Sequence, residues 1–221
     1  MMILYKFTFQ NDKAYNGRQW GECVTHEVDG QGEIYSEHWI YTYRDPLLGS
    51  FFHSVAYLKS AHLWKGKGEI DIDDGLYVGC STFTTLERLE MPPITLEQRV
   101  RFAILVSLEV YIEPTYVAWA KIWLSNKDHS LAMTKKAWTA AAARATMEAT
   151  PVMMGTGTAW IAREAVEAAR YAIEAKVSYS KSADQGYALL AALKATKGAA
   201  KMNKFIDWAA LTWKAMESCL C

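Results

Sequence analysis

The chain has little cysteine, no excess of charge of either sign and no long apolar run. Four cysteines in 221 residues are too sparse for a disulfide scaffold. Twenty-four basic side chains balance twenty-four acidic ones. A general polyanion binder would carry a basic excess and a DNA mimic a large acidic one, so nucleic acid is not expected as the main partner. The lack of about 18 consecutive apolar residues predicts that no helix crosses a membrane. The opening Met1-Met2-Ile3-Leu4-Tyr5-Lys6 has no basic stretch ahead of a long apolar core, so no secretory signal is expected and the expected compartment is the cytoplasm. What is present is ordinary for a globular chain: 51% apolar and 22% charged residues, which exclude global disorder. The length allows one large domain or two small ones.

Alanine is nearly absent before the pair Pro92-Pro93 and abundant after it. Residues 1–94 contain 3 alanines and residues 95–221 contain 28. The first part has 8 basic and 13 acidic side chains, a net of −5; the second has 16 and 11, a net of +5. Four of the five histidines, His26, His38, His53 and His62, fall in the first part. Helix propensity, charge sign and histidine content therefore change together at a Pro-Pro pair, which predicts two units, 1–94 and 95–221. The opposite charges suit contact between the units, or head-to-tail pairing of two copies.

The first unit is expected to be small and α+β, built on a curved antiparallel sheet. Residues 4–9 alternate apolar and other side chains, as a strand does. Residues 23–28 form a second short candidate, closed by the turn pair Asp29-Gly30. Residues 34–43 are aromatic-rich and fit a strand. Asp45-Pro46 opens a short helix through Leu47-Leu48, Phe51-Phe52 and Val55-Ala56, whose apolar pairs recur at helical spacing. Residues 63–72 alternate again, Asp73-Asp74-Gly75 is a turn, and residues 76–80 and 82–89 complete the set.

The second unit is expected to be an all-α, alanine-rich bundle. Thr95-x-x-Gln98 is a capping box for a helix to about residue 112, with Val100, Ile104, Leu108 and Tyr111 on one face. Pro114 suits the first turn of the next helix. Further helices are expected over about 130–149, 159–177, 183–196 and 201–220, with Gly198 as a stop between the last two. Ala137, Ala141, Ala145 and Ala149 recur at i, i+4, as do Ala165, Ala169, Ile173 and Val177. Small side chains let helix axes approach closely, and Trp119, Trp123, Trp138, Trp160, Trp208 and Trp213 are expected to supply the missing volume.

Few residue groups have the spacing of a catalytic or metal site. Cys219-x-Cys221 is one close pair where a zinc site wants two, and Cys23, near His26, has no identifiable orienting partner. Gly155-Thr156-Gly157-Thr158 lacks the lysine and spacing of a phosphate-binding loop. Glu69-x-Asp71-x-Asp73-Asp74-Gly75 resembles a cation loop, but the position that should hold a bidentate glutamate is Thr82, so a solvated turn is the default reading, with Asp73 and Asp74 kept as acidic binding candidates. No metal and no cofactor is called for. Lys194, Lys197, Lys201 and Lys204 put positive charge on one helical side, available to phosphates or to an acidic partner, though exposed lysines are ordinary on a helix. The densest mixture is Trp20-Gly21-Glu22-Cys23-Val24-Thr25-His26 with His38-Trp39-Ile40-Tyr41-Thr42-Tyr43. It suits a pocket for a flat or sugar-bearing ligand, with Trp20, His26, Trp39 and Tyr43 as binding candidates. It equally suits the aromatic core of a small unit.

The order Trp20-Gly21-Glu22, Thr25-His26, Gly32-Glu33, Trp39, Asp45-Pro46-Leu47-Leu48, Leu63-Trp64, Asp74-Gly75-Leu76-x-Val78-Gly79-Cys80, Gln98-Arg99-Val100-x-Phe102-Ala103-Ile104-Leu105 and Trp119-Ala120-x-x-Trp123-Leu124-Ser125 resembles a group of bacteriophage and prophage proteins of unassigned chemistry. In that group an α+β amino-terminal unit precedes a variable alanine-rich helical tail. The resemblance implies a phage accessory protein in the host cytoplasm that acts by binding, as an inhibitor of a host antiviral defence complex (anti-CRISPR-like or another anti-defence protein), with a host protein or complex as partner. The first unit also resembles ADP-ribosyltransferase-like folds. That resemblance implies an alternative in which His26 positions a nicotinamide ribose, Tyr43 takes the aromatic position of the pattern and Glu87 polarises a ribose hydroxyl, or in which the same cluster binds a nucleotide without turnover. A third expectation is self-association through the helical unit.

Overall fold

Alternation along the first residues produces β1 (Met2–Phe9), which pairs antiparallel along its whole length with β4 (Ala61–Gly68). In the computed structural model, residues 1–34, 36–53, 60–128, 130–148, 190, 194–195, 199 and 204–217 are described. The chain divides into two units, Met1–Pro93 and Ile94–Cys221. It contains antiparallel sheets and helices and is α+β.

The first unit holds two sheets rather than the one curved sheet expected. A four-stranded sheet runs β1-β4-β7-β2, with β2 at Thr25–Glu27 and β7 at Thr82–Leu89. A three-stranded sheet runs β3-β6-β5, with β3 at Ile40–Thr42, β5 at Ile72–Asp73 and β6 at Val78–Cys80. Two joins link them. The chain passes from β6 to β7 through Ser81 alone, and Tyr5 and Tyr43 exchange backbone hydrogen bonds between β1 and β3 at 2.9 and 2.8 Å. Both sheets contribute to one core: Leu4, Trp20, Ile40, Val78, Cys80 and Phe83.

The split follows from backbone that cannot extend the ladders. Among the described residues of 34–43 only Ile40–Thr42 is strand: Ser36 N–H donates to the Glu33 carbonyl, and the Ser36 carbonyl accepts from the Tyr41 hydroxyl. Of residues 23–28 only Thr25–Glu27 is strand; Cys23 sits at φ 55°, outside extended conformations. Beyond Gly68 the expected strand over 63–72 stops, and β5 forms separately. In β4 the register shifts between Lys65 and Gly66, and a Cβ at Gly66 would lie 2.3 Å from the Phe83 ring. The missing side chain at the bulge leaves room for the Phe83 ring against the strand.

Helix α1 (Pro46–Phe52) begins as expected, with the Asp45 side chain accepting from Leu47 N–H and proline in the first turn. It packs on β1 through Gly49, where a Cβ would meet Phe7 at 2.3 Å. Val55 and Ala56 lie outside the described residues.

In the second unit the regular structure described is helical. Helix α2 (Leu96–Leu108) carries the complete capping box: Gln98 N–H donates to the Thr95 hydroxyl while the Gln98 side chain accepts from Thr95 N–H. It ends short of residue 112. Its last turn tightens through Glu109 N–H to Val106 and Val110 N–H to Ser107, and the Ser107 hydroxyl bonds Tyr116 of the next helix. That helix, α3 (Pro114–Leu124), has proline in its first turn, and α4 spans Leu131–Glu148. Helix α5 (Trp208–Met216) begins at residue 208, not 201, because Asp207 caps it by accepting from Ala210 N–H, and residues 204–207 are not helical.

Trp119, Trp123 and Trp208 are buried as expected, as are Ala137 and Ala141, but Trp213 is 57% exposed. Of the expected helix over 183–196, residues 190, 194 and 195 are described and are helical. The expected helix over 159–177, Gly198, Trp160, Cys219-x-Cys221, the Gly-Thr stretch at 155–158 and the alanine stripe at 165–177 lie outside the described residues. So do Ala149 and the side chains of Trp138 and Ala145. Among the described residues no helix is long and apolar enough to cross a membrane.

Candidate functional site

The ladder between β1 and β3 stops after the single Tyr5–Tyr43 bridge. Where the two strands part, a cavity of about 510 Å³ opens. Phe7, Tyr43, His53 and Tyr77 form one aromatic wall. The Phe7 and Tyr43 rings stand edge to face at 5.6 Å, Tyr43 and Tyr77 lie 5.1 Å apart, and the Tyr43 hydroxyl meets His53 Nε2 at 3.4 Å. Trp20, Trp39 and Tyr41 supply other parts of the lining, and Lys6, Arg18, Ser36 and Glu37 are its main polar members.

Local chain geometry explains how these residues reach the cavity. Residues 10–20 fold back on themselves: Phe9 N–H donates to Lys13, Ala14 N–H to Arg18, and Trp20 N–H to Asp12. Gly17, at φ 77°, turns the tip. This brings Trp20 into the core and Arg18, two residues earlier, over the opening. Trp39 is fixed by its indole N–H donating to the Gly32 carbonyl at 3.3 Å.

Lys6 is the unusual member. β1 is an edge strand of its sheet, yet its second half is buried on both sides, with Phe7 under α1 and Leu4, Lys6 and Thr8 turned inward, and Lys6 is only 7% exposed. Its ammonium donates to the Tyr41 carbonyl at 3.1 Å and lies 5.0 Å from the centre of the Trp20 ring. Burial pushes its pKa down to about 8; the Cys80 thiol acts to raise it and Arg18 to lower it. Cys80, also buried, is pushed up to about 11, chiefly by desolvation.

Buried threonines of this unit have partners: Thr8 accepts from Trp64 Nε1, Thr42 donates to Val78, and Thr85 bonds Gly21 and Val24. Around the cavity the pattern differs. Arg18 Nη1, Trp20 Nε1 and Ser36 Oγ are buried without hydrogen-bond partners. A lysine ammonium has three N–H donors, and the Tyr41 carbonyl takes one of them. Buried polar groups are normally satisfied, and open donors occur in the helical unit too, as at Trp119 Nε1; those of Arg18, Trp20 and Ser36 differ in standing beside an open cavity.

The structure brings Trp20, Trp39 and Tyr43 to the cavity and places His26 beside it. The His26 ring stands 4.6 Å from Trp20, and its Nε2 is 2.7 Å from the Gln19 carbonyl oxygen. Trp20 and Trp39 are thus both core residues and cavity lining. His26 pairs with Phe83 on β7, whereas Glu87 is four residues further along that strand, about 13 Å at strand rise. Glu87 is bonded to Lys65 Nζ at 2.7 Å. Asp73 binds the Arg44 guanidinium at 2.5 and 2.8 Å, and Asp74 accepts from Leu76 and Tyr77 N–H, so both acidic candidates stabilise their turn. Lys204 reaches the Glu109 carbonyl and carboxylate at 2.6 and 3.0 Å, Lys194 is half-buried in a helix, and Lys197 and Lys201 lie outside the described residues. Cys23 is exposed. Among the described residues no group of three or more His, Cys, Asp or Glu could hold a metal ion.

Sequence reasoning missed Lys6 and Arg18. The available signal was weak: a lysine between Tyr5 and Phe7 in a strand, and an arginine two residues before a core tryptophan. Compared with protein-family models, with curated proteins and with solved structures, the chain matches none.

Proposed function

We propose that this chain acts by binding, that the aromatic cavity of its first unit is the binding site, and that it serves as a phage accessory protein that blocks a host antiviral defence by occupying one of its molecules. The observation that carries this reading is the cavity of about 510 Å³, walled largely by aromatic rings and edged by buried donors without partners. Its volume lies within the roughly 300–1,000 Å³ of small-molecule sites. Its walls are held by core packing and backbone bonds, so little ordering is needed when a ligand enters. The phage setting comes from the resemblance of the motif order, as does an all-α, alanine-rich second unit available for self-association. Binding without turnover is favoured over ADP-ribosyl transfer by the separation of His26 from Glu87 and by the engagement of Glu87 with Lys65.

The test is a thermal-shift panel of nucleotides, including NAD and cyclic dinucleotides, followed by chromatography of the recovered ligand. The expected result is a stabilising nucleotide recovered intact, with apparent stability raised by about 2.7 kcal/mol at a hundredfold excess over Kd. A ligand that is consumed, with consumption abolished by His26→Ala or Glu87→Gln, would overturn the binding reading. A flat response across the panel would overturn the cavity as its site.

A further inference from the structure

Two cations border the cavity, and among the described residues neither has a carboxylate partner. The Lys6 ammonium is held inside the unit by one carbonyl and one indole face. Arg18 presents a buried, unpartnered Nη1 to the same opening. The two are near enough for Arg18 to disfavour the charge on Lys6. Holding like charges together inside a protein is costly unless an anion joins them. The carboxylate in the lining, Glu37, is exposed, so solvent screens its charge. The same cavity is lined by the flat rings of Tyr43 and Tyr77, tilted at 44° to one another.

We infer that the cavity selects a flat ring system carrying an anionic group, the chemistry of a nucleotide, with Lys6 and Arg18 taking the anion and the tyrosine wall packing on the ring. This rests on the reading that the cavity is the binding site. Lys6 supplies two N–H donors and Arg18 one, and charge-assisted bonds of this kind are the strong ones. Trp20 Nε1 and Ser36 Oγ add neutral donors at the same place.

The test compares three probes by calorimetry on the full chain: nucleoside monophosphates, the matched nucleosides, and inorganic phosphate alone. A monophosphate should bind at least about tenfold more tightly than its nucleoside, and phosphate alone more weakly than either. Lys6→Met should erase the preference for the monophosphate while nucleoside binding persists, and Arg18→Gln, at a partly exposed position, should reduce it. Equal affinity for monophosphate and nucleoside, or a preference unchanged in both variants, would overturn the assignment of the anion to these cations. Phosphate binding as tightly as the monophosphate would overturn the role of the ring wall. If no probe of the three binds, the cavity reading fails, and this inference with it.

Discussion

Both units bury cationic side chains, and they use them differently. In the helical unit Arg101 Nη1 donates to the Leu124 carbonyl at 2.9 Å. That carbonyl belongs to the last turn of α3, where unsatisfied carbonyls and the helix dipole favour a positive charge. The buried cation there completes a helix end. In the first unit Lys6 also reaches a carbonyl, but at the edge of a cavity and with a second cation nearby. A buried charge that closes a helix is part of the fold. A buried charge beside an open space costs stability and makes sense through a ligand.

The largest effect that would sharpen the contrast concerns core volume. Phe83→Ala should cost about 3–5 kcal/mol, because Phe83 is fully buried against Gly66 and Trp20. Ala141→Gly, in the alanine-bearing helix α4, should cost only about 1 kcal/mol. Urea unfolding followed by tryptophan fluorescence measures both; equal costs would mean the two interiors are not built differently.

The next prediction tests the cations themselves. Arg101→Met should destabilise by about 1.5–3 kcal/mol, since it removes a charge-assisted bond and orphans a carbonyl. Lys6→Met should act in the opposite direction near pH 7, with a gain on the order of 1–2 kcal/mol from relieving a desolvated charge. Two losses of similar size would break the comparison.

A third prediction reads Lys6 through pH. Its folded pKa of about 8 lies below the ordinary 10.5, so between those values the unfolded chain holds the extra proton and stability rises with pH. Cys80 is raised from 9.0 to about 11, so there the folded chain keeps its proton and stability falls as pH rises. The wild type should therefore gain stability from about pH 8 to 9 and then level off. Lys6→Met should abolish the gain, as chemical denaturation across that range would report. The smallest expected effect is at the capping box, where Thr95→Ala should cost about 1 kcal/mol in the same unfolding assay, through loss of the bond from Gln98 N–H.

Local elements were legible where one residue type settles the backbone. Thr95 and Gln98 announced α2, Pro114 announced α3, and Asp45-Pro46 announced α1, because caps and proline act within a few residues. Strand boundaries were less legible. The limits of β3 and β4 depend on which backbone finds a partner across the sheet, as the Ser36–Glu33 hydrogen bond and the Gly66 bulge show. At the site, Trp20, Trp39 and Tyr43 stood out by type. Lys6 did not, since a lysine in an alternating strand is ordinarily placed on the solvent side.

The amino-acid sequence by itself determined the alternation that makes β1 and β7, the capped starts of the helices, and the change of composition at Pro92-Pro93. These depend on side-chain chemistry over short spans. Only the tertiary structure decided that the sheet would divide in two, that the second half of β1 would be buried on both sides, and that Lys6 and Arg18 would meet beside aromatic rings. Those outcomes depend on pairing between residues far apart in the chain, such as Tyr5 with Tyr43 and Lys6 with Tyr41, and no short stretch of sequence contains both partners.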